Sequence, residues 1–135
     1  MTDFRRVTDH LAVSPQIAPA DVAQAKAQGF TTIINNRPDG EAPGQPTSAE
    51  IEAAARTAGL DYVHIPVRGG PTPEQVDANR RAIEGSKGPV LAFCRSGNRC
   101  IVTWSIGERL AGRDRGELVK IGAEAGYDLS GVLPG

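Results

Sequence analysis

Pro89-Val-Leu-Ala-Phe-Cys94-Arg-Ser-Gly-Asn-Arg99-Cys100 is an apolar run that ends at a cysteine and turns through a glycine into a second patterned segment. Pro89 to Phe93 have the short, continuous apolar character of a buried strand, and Cys94 sits where that strand ends. From Arg99 on, Ile101, Val102, Trp104, Ile106 and Leu110 recur at roughly helical spacing until Gly112. Residues 94–99 therefore join a strand to a helix N-terminus, which is an anion site by construction. Backbone N–H groups of a tight turn converge on one point, the positive end of the helix dipole faces it, and Arg99 adds a planar fork of donors. A thiol held there ionises readily. Cysteines at helix N-termini beside cations have pKa values of roughly 3.5 to 7.5 against about 8.5 for a free thiol, and the thiolate is the nucleophile. Cys94 and Arg99 are thus the candidate catalytic pair, and Arg95, Ser96, Gly97 and Asn98 the candidate anion-binding loop. Ser96 and Asn98 either shape the loop or bond to the thiolate, Gly97 supplies a positive φ, and Arg95 faces either substrate or solvent.

Outward from this stretch, Phe4–Val7 and His10–Val13 read as a hairpin around Thr8-Asp9. Pro19 and Gly29 bracket a first helix of about ten residues, followed by a β-branched strand from Phe30 to Asn35. Residues 35–46 hold three prolines and two glycines, which excludes regular structure. Leaving the carboxyl end of a parallel strand, this segment opens on the same edge as the Cys94 loop. Asn36, Arg37, Asp39 and Glu41 are therefore candidates for the site wall, as is Arg68 after the next strand. Thr47 and Glu50 have capping-box spacing for a helix that stops at Gly59, and Thr72-Pro73-Glu74-Gln75 opens another that ends near Gly85 or Gly88. Asp61 to Val67 reads as a strand, and Asp114 caps a last helix reaching Ala125. The alternation of strands and helices predicts an α/β fold, a mainly parallel central sheet with helices on both faces, in a single domain spanning 1–135.

Composition is that of an ordinary globule, 39% apolar and 23% charged with a net charge of -1. No basic surplus points to nucleic acid. No segment has the length of a membrane span or a signal-peptide core, so a cytoplasmic protein without membrane association is expected. Cys94 and Cys100 do not show metal-ligand spacing with His10 or His64, and neither a metal nor a cofactor is expected. The two histidines read as strand residues satisfied locally, and Trp104 as a core anchor.

Several segments together carry a resemblance. Cys94-Arg-Ser-Gly-Asn-Arg99 is similar to the active-site loop of rhodanese-type sulfurtransferases and, more loosely, to the phosphate loop of tyrosine and dual-specificity phosphatases. With Ile33-Ile-Asn-Asn-Arg-Pro-Asp-Gly-Glu41, Pro43-Gly-Gln-Pro46, His64-Ile-Pro-Val67 and Gly126-Tyr-Asp-Leu-Ser-Gly131, nearly the whole chain resembles the phosphatase-like domain of beta-lactamase-hydrolase-like proteins. The resemblance implies a tyrosine-phosphatase-like fold. It also implies that such a domain is fused in some proteins to a metallo-beta-lactamase-like domain that oxidises persulfides, so a persulfide-handling protein is an expected partner.

Two features weigh sulfur against phosphorus. Four residues separate Cys94 from Arg99, where the phosphatases place five, and the shorter ring suits a terminal sulfur on the cysteine. A phosphatase of this fold also needs a general acid after the strand that here reads His64-Ile-Pro-Val67. This chain continues Arg68-Gly-Gly-Pro-Thr72 and has no carboxylate until Glu74, leaving Asp39 or Asp128 to substitute. The expected function is a sulfurtransferase that passes sulfur through a Cys94 persulfide, taking a small anionic sulfur donor. The alternatives are a phosphatase acting on a phosphoester through a Cys94 phosphocysteine, and a non-catalytic oxyanion or redox-sensing module. Cys100 stands where the resembled family carries a small hydroxyl residue. It reads as a resolving thiol or as an inert core residue, the inert reading being the stronger.

Overall fold

The computed structural model describes residues 2–133. Five strands form one sheet: β1 (Arg5–Thr8), β2 (Leu11–Ser14), β3 (Thr32–Asn35), β4 (Asp61–His64) and β5 (Val90–Phe93). They lie in the order β1-β2-β5-β3-β4, parallel throughout except that β1 runs antiparallel to β2. The expected hairpin and the mainly parallel sheet are both present. β5 is central, with Ala92 paired to Val13 on one side and to Ile34 on the other.

Alternation along the strands assigns the two faces. Leu11, Val13, Ile34, Val90 and Ala92 point to one side, where α3 (Pro73–Glu84), α4 (Asn98–Leu110) and α5 (Arg115–Glu124) contribute Ile83, Ile101, Trp104 and Leu118. Ala12, Ile33, Leu91 and Phe93 point to the other, onto Val22 and Ala25 of α1 (Asp21–Ala27) and Ile51 and Ala55 of α2 (Ser48–Ala58). A strand covered on both faces must be apolar at every position, and β5 is. Burying side chains such as Leu91 and Phe93 contributes about 1.5–3 kcal/mol each.

The predicted starts of the longer helices hold. Thr47 accepts from the Glu50 N–H while Glu50 accepts from the Thr47 N–H, and Thr72 and Gln75 repeat the exchange with Pro73 in the first turn. Asp114 accepts from the Glu117 N–H at the start of α5.

Strands β1, β2, β3 and β5 begin one or two residues later than expected, and two further boundaries differ for a visible reason. α1 has seven residues, beginning at Asp21 rather than at Pro19, because the Asp21 carboxylate accepts from the Ala18 N–H and holds residues 18–20 as a turn. β4 ends at His64 rather than Val67; Pro66 has no N–H for a ladder, although the Ile65 and Val67 N–H groups still donate to the Asn35 and Asn36 carbonyls. Among the described residues no helix is long and apolar enough to cross a membrane.

Candidate active site

The loop after β5 is set by its own backbone. The Cys94 N–H donates to the Ser14 carbonyl at 3.3 Å, continuing the sheet by one bond. The chain then turns, and Gly97 at φ 92° ends the turn as the N-cap of α4. Two carbonyls of the loop are drawn outward: that of Arg95 accepts from the Gln16 N–H at 3.2 Å, and that of Ser96 from the Tyr127 hydroxyl at 2.7 Å. With carbonyls pinned outward, N–H groups are left facing the sulfur, and the Gly97 N–H donates to Cys94 Sγ at 3.1 Å. A β-carbon at Gly97 would lie 2.2 Å from the Tyr127 hydroxyl, so the position requires glycine for space as well as for φ. Ser96 shapes the loop, its hydroxyl accepting from the Asn98 N–H at 3.3 Å. The Arg95, Ser96 and Asn98 side chains are exposed.

Cys94 is only 1% exposed, yet its thiol is lowered from 9.0 to about 5. The largest cause is the neighbouring Cys100 thiol; burial opposes it, and backbone N–H groups of the loop and first helical turn add to the lowering. Cys100 moves the opposite way, pushed well up by burial and then by its neighbour Cys94. Cys100 is buried in the core beside Cys94, as its core reading expects of its packing.

Arg99, from the first turn of α4, is held by Glu41. Its Nη1 donates to Glu41 Oε2 at 2.8 Å and to the Val67 carbonyl at 2.9 Å, and its Nη2 donates to Glu41 Oε1 at 2.8 Å. Glu41 Oε1 also accepts from Arg37 Nε at 2.9 Å. With two guanidiniums on one carboxylate, Arg99 foremost, Glu41 drops from 4.5 to about 2. Arg37 is nearly buried, its Nη1 donating to the Gln16 side chain at 3.0 Å.

The other wall candidates divide. Asn36 is fully buried and braces the sheet edge from within, donating to the Ile65 carbonyl at 3.0 Å and to Asn79 at 3.3 Å. Its position just after a strand predicted exposure, but its amide turns inward. Asp39 is exposed and accepts from the Ser48 N–H at the start of α2 at 2.8 Å. Asp128 accepts from Ser130 two residues on. Arg68 is exposed, one residue beyond the carbonyl that receives Arg99. His10 and His64 each bond a backbone carbonyl at 2.8 Å, of Ile83 and Arg37 respectively. Trp104 is a core residue, 7% exposed, with the Arg113 guanidinium 5.8 Å from its ring centroid. Sequence reasoning misses the contacts of Tyr127 and Gln16, and places Glu41 on the wall without pairing it to Arg99. The segment Gly126-Tyr-Asp-Leu-Ser-Gly131 marks the neighbourhood of Tyr127 in the sequence without giving it a role.

Comparison with known proteins agrees with this architecture. Residues 3–111 match the family model described as the beta-lactamase hydrolase-like protein, phosphatase-like domain. The beta-lactamase hydrolase-like protein of Agrobacterium fabrum is 41% identical over 127 residues, covering 92% of this chain but 29% of the relative's length. The chain thus spans under a third of that curated relative. A candidate phosphatase from Neisseria meningitidis is 33% identical, with a TM-score of 0.87 over 97% of this chain and 94% of its own. TpbA of Pseudomonas aeruginosa, solved in complex with phosphotyrosine, shares the fold at 18% identity, with a TM-score of 0.66 over 93% of this chain and 76% of its own. With a tyrosine-phosphatase-like fold and a cysteine and an arginine framing the loop after its central strand, this chain belongs to the family of beta-lactamase hydrolase-like phosphatase-like domains.

Proposed function

We propose that this chain is a sulfurtransferase carrying sulfur on Cys94. The observation that carries this is the state of Glu41. It is the carboxylate that the fold brings to Arg99, and its oxygens are taken by the Arg99 and Arg37 guanidiniums, which hold it below the usual carboxylate range, whereas a phosphoester hydrolase needs a protonated acid beside the leaving oxygen. Sulfur transfer needs none when the leaving group is itself a weak base. The Cys94 thiolate attacks the outer sulfur of a donor such as thiosulfate, a new S–S bond forms as the old one breaks, and sulfite leaves with the electron pair. An acceptor thiolate or cyanide then attacks the outer sulfur and Cys94 departs as thiolate, so no net oxidant or reductant is consumed. Loop N–H groups and Arg99 stabilise the anionic intermediate. The near-complete burial of Cys94 favours a substrate with a slender protruding atom. Arg68 and Arg95 at the mouth draw an anionic donor, and a persulfide-handling protein is the partner class that fits the same chemistry.

The second reading is phosphoester hydrolysis through a Cys94 phosphocysteine. It has the stronger support from the comparisons, through the family's description and the phosphatase names of its structural relatives. The two are separated by assaying thiocyanate formation from thiosulfate and cyanide beside aryl-phosphate hydrolysis, with wild type and Cys94→Ser. Thiocyanate formation that Cys94→Ser abolishes, with negligible phosphate release, is the expected result. Cys94-dependent phosphate release without thiocyanate would replace this reading by the second.

A further inference from the structure

The sheet end opposite Cys94 carries a cavity of its own. The His10 carbonyl accepts from the Val90 N–H where β5 begins, whereas Cys94 follows where β5 ends. Beside His10, the β1–β2 turn, α3 and α4 enclose a partly open cavity of about 290 Å³. A cavity of about 150 Å³ holds a benzene, so this one has room for a single substituted ring. Ile83 and Trp104 give it apolar wall, and the buried Asn79 and Thr103 reach it from α3 and α4. None of its lining residues belongs to the Cys94 loop or to residues 36–45.

Asn79 brings an unused donor to this cavity. Asn36 Nδ2 donates to the Ile65 carbonyl at 3.0 Å, which fixes the Asn36 amide, and the Asn79 atom that faces the same nitrogen at 3.3 Å must therefore be its oxygen. That leaves Asn79 Nδ2 with no partner among the described residues. Asn36 Oδ1 is the only sealed and unpartnered side-chain atom among the described residues. Asn79 is 1% exposed, so its Nδ2 keeps contact with open space, and the space that Asn79 lines is this cavity. A buried donor left idle is costly unless a ligand or water meets it. His10 offers the complement. Its Nε2 donates to the Ile83 carbonyl at 2.8 Å, so the neutral ring carries its lone pair at Nδ1, which has no partner among the described residues.

The charges around the cavity are spent on one another. Arg80 meets Glu84 at 3.3 Å and Glu108 at 3.2 Å and donates to the Gly107 carbonyl at 2.8 Å. Arg113 lies 3.5 Å from Glu108 and 3.8 Å from Glu117. An ionic ligand would have to break these pairs, so the cavity selects against charge.

We propose that this cavity binds a small uncharged cyclic amide, whose carbonyl accepts from Asn79 Nδ2 and whose N–H donates to His10 Nδ1. The site is independent of the chemistry at Cys94.

The probe is δ-valerolactam, a six-membered ring with one carbonyl and one N–H, titrated into the full chain and followed by the fluorescence of Trp104, the one tryptophan in the sequence. The signal should change saturably, with a Kd on the order of 1 mM for a fragment of this size. N-methyl-δ-valerolactam, which has lost its donor, should bind about tenfold more weakly, and so should cyclohexanecarboxylate, which is charged. Asn79→Leu should weaken δ-valerolactam about tenfold as well, while Cys94→Ser should bind it as wild type does. The wild-type comparison of the three probes decides the matter if Asn79→Leu folds poorly. No saturable change with δ-valerolactam would mean that the cavity holds water only and would overturn the proposal. Equal or tighter binding of either other probe, or undiminished binding by a folded Asn79→Leu protein, would overturn it too.

Discussion

The loops that follow β5 and β3 open side by side on one sheet edge, yet they are built by opposite means. Residues 94–99 are fixed by backbone: a glycine at φ 92°, two carbonyls pinned outward and an N–H aimed at sulfur. Residues 36–45 are fixed by side chains, with Arg37 on Gln16, Glu41 on Arg99, Asp39 on Ser48 and Gln45 on Pro38. The first loop takes its shape from main chain around Cys94 and Gly97, with Arg99 at its end. The second depends on side chains almost wholly. A site of this kind separates its tasks, holding the nucleophile by main chain and orienting the cation by a chain of ion pairs.

The contrast breaks most severely at Gly97. Gly97→Ala forces a side chain into a left-handed conformation and against the Tyr127 hydroxyl, 2.2 Å from the added carbon. A loss of about 3 kcal/mol is expected in denaturant melts, part of it recovered when Tyr127→Phe removes the oxygen. A Gly97→Ala protein as stable as wild type would mean that the loop is not set by its backbone.

Next in size is the thiolate itself. Alkylation of Cys94 should rise with pH through about 5 and be flat at neutrality, since the thiolate is the reactive form. Cys100→Ala removes the thiol that contributes most and should move the midpoint upward, whereas Cys100→Ser keeps a hydroxyl there and should stay near wild type. Because the folded pKa is depressed from 9.0 to about 5, the thiolate's stabilisation of the fold is complete above the unfolded value and is lost as pH falls through the folded one. An unmoved midpoint in Cys100→Ala would leave the backbone N–H groups as the sole source of the shift.

The mildest change is Tyr127→Phe, which deletes one hydrogen bond to the Ser96 carbonyl and keeps the ring under Arg5. It should cost about 1 kcal/mol. A cost of several kcal/mol would show that the C-terminal segment, rather than the turn, is what holds the loop.

The same contrast explains what could be seen from residue order. The strand, the cysteine, the glycine turn and the helix lie within a dozen consecutive residues, so their chemistry is local and legible. So are the capping boxes at Thr47 and Thr72, each complete within four residues. Glu41 and Arg99 are 58 positions apart, and their pairing follows from parallel alignment of β3 and β5, which periodicity implies but does not register to the residue. Tyr127 approaches Ser96 only after α5 has crossed the molecule. Its position at a strand end puts Asn36 on the wall by residue order, but its amide nitrogen turns inward to the Ile65 carbonyl and Asn79.

The central claim, that Cys94 carries the transferred group as a persulfide, is tested most directly by intact mass of the reduced protein before and after thiosulfate, beside Cys94→Ser and Cys100→Ser. The account predicts a gain of one sulfur atom in wild type and in Cys100→Ser, none in Cys94→Ser, and loss of the added mass when cyanide is supplied. No gain in wild type, together with a phosphoryl adduct on Cys94 after treatment with an aryl phosphate, would contradict it.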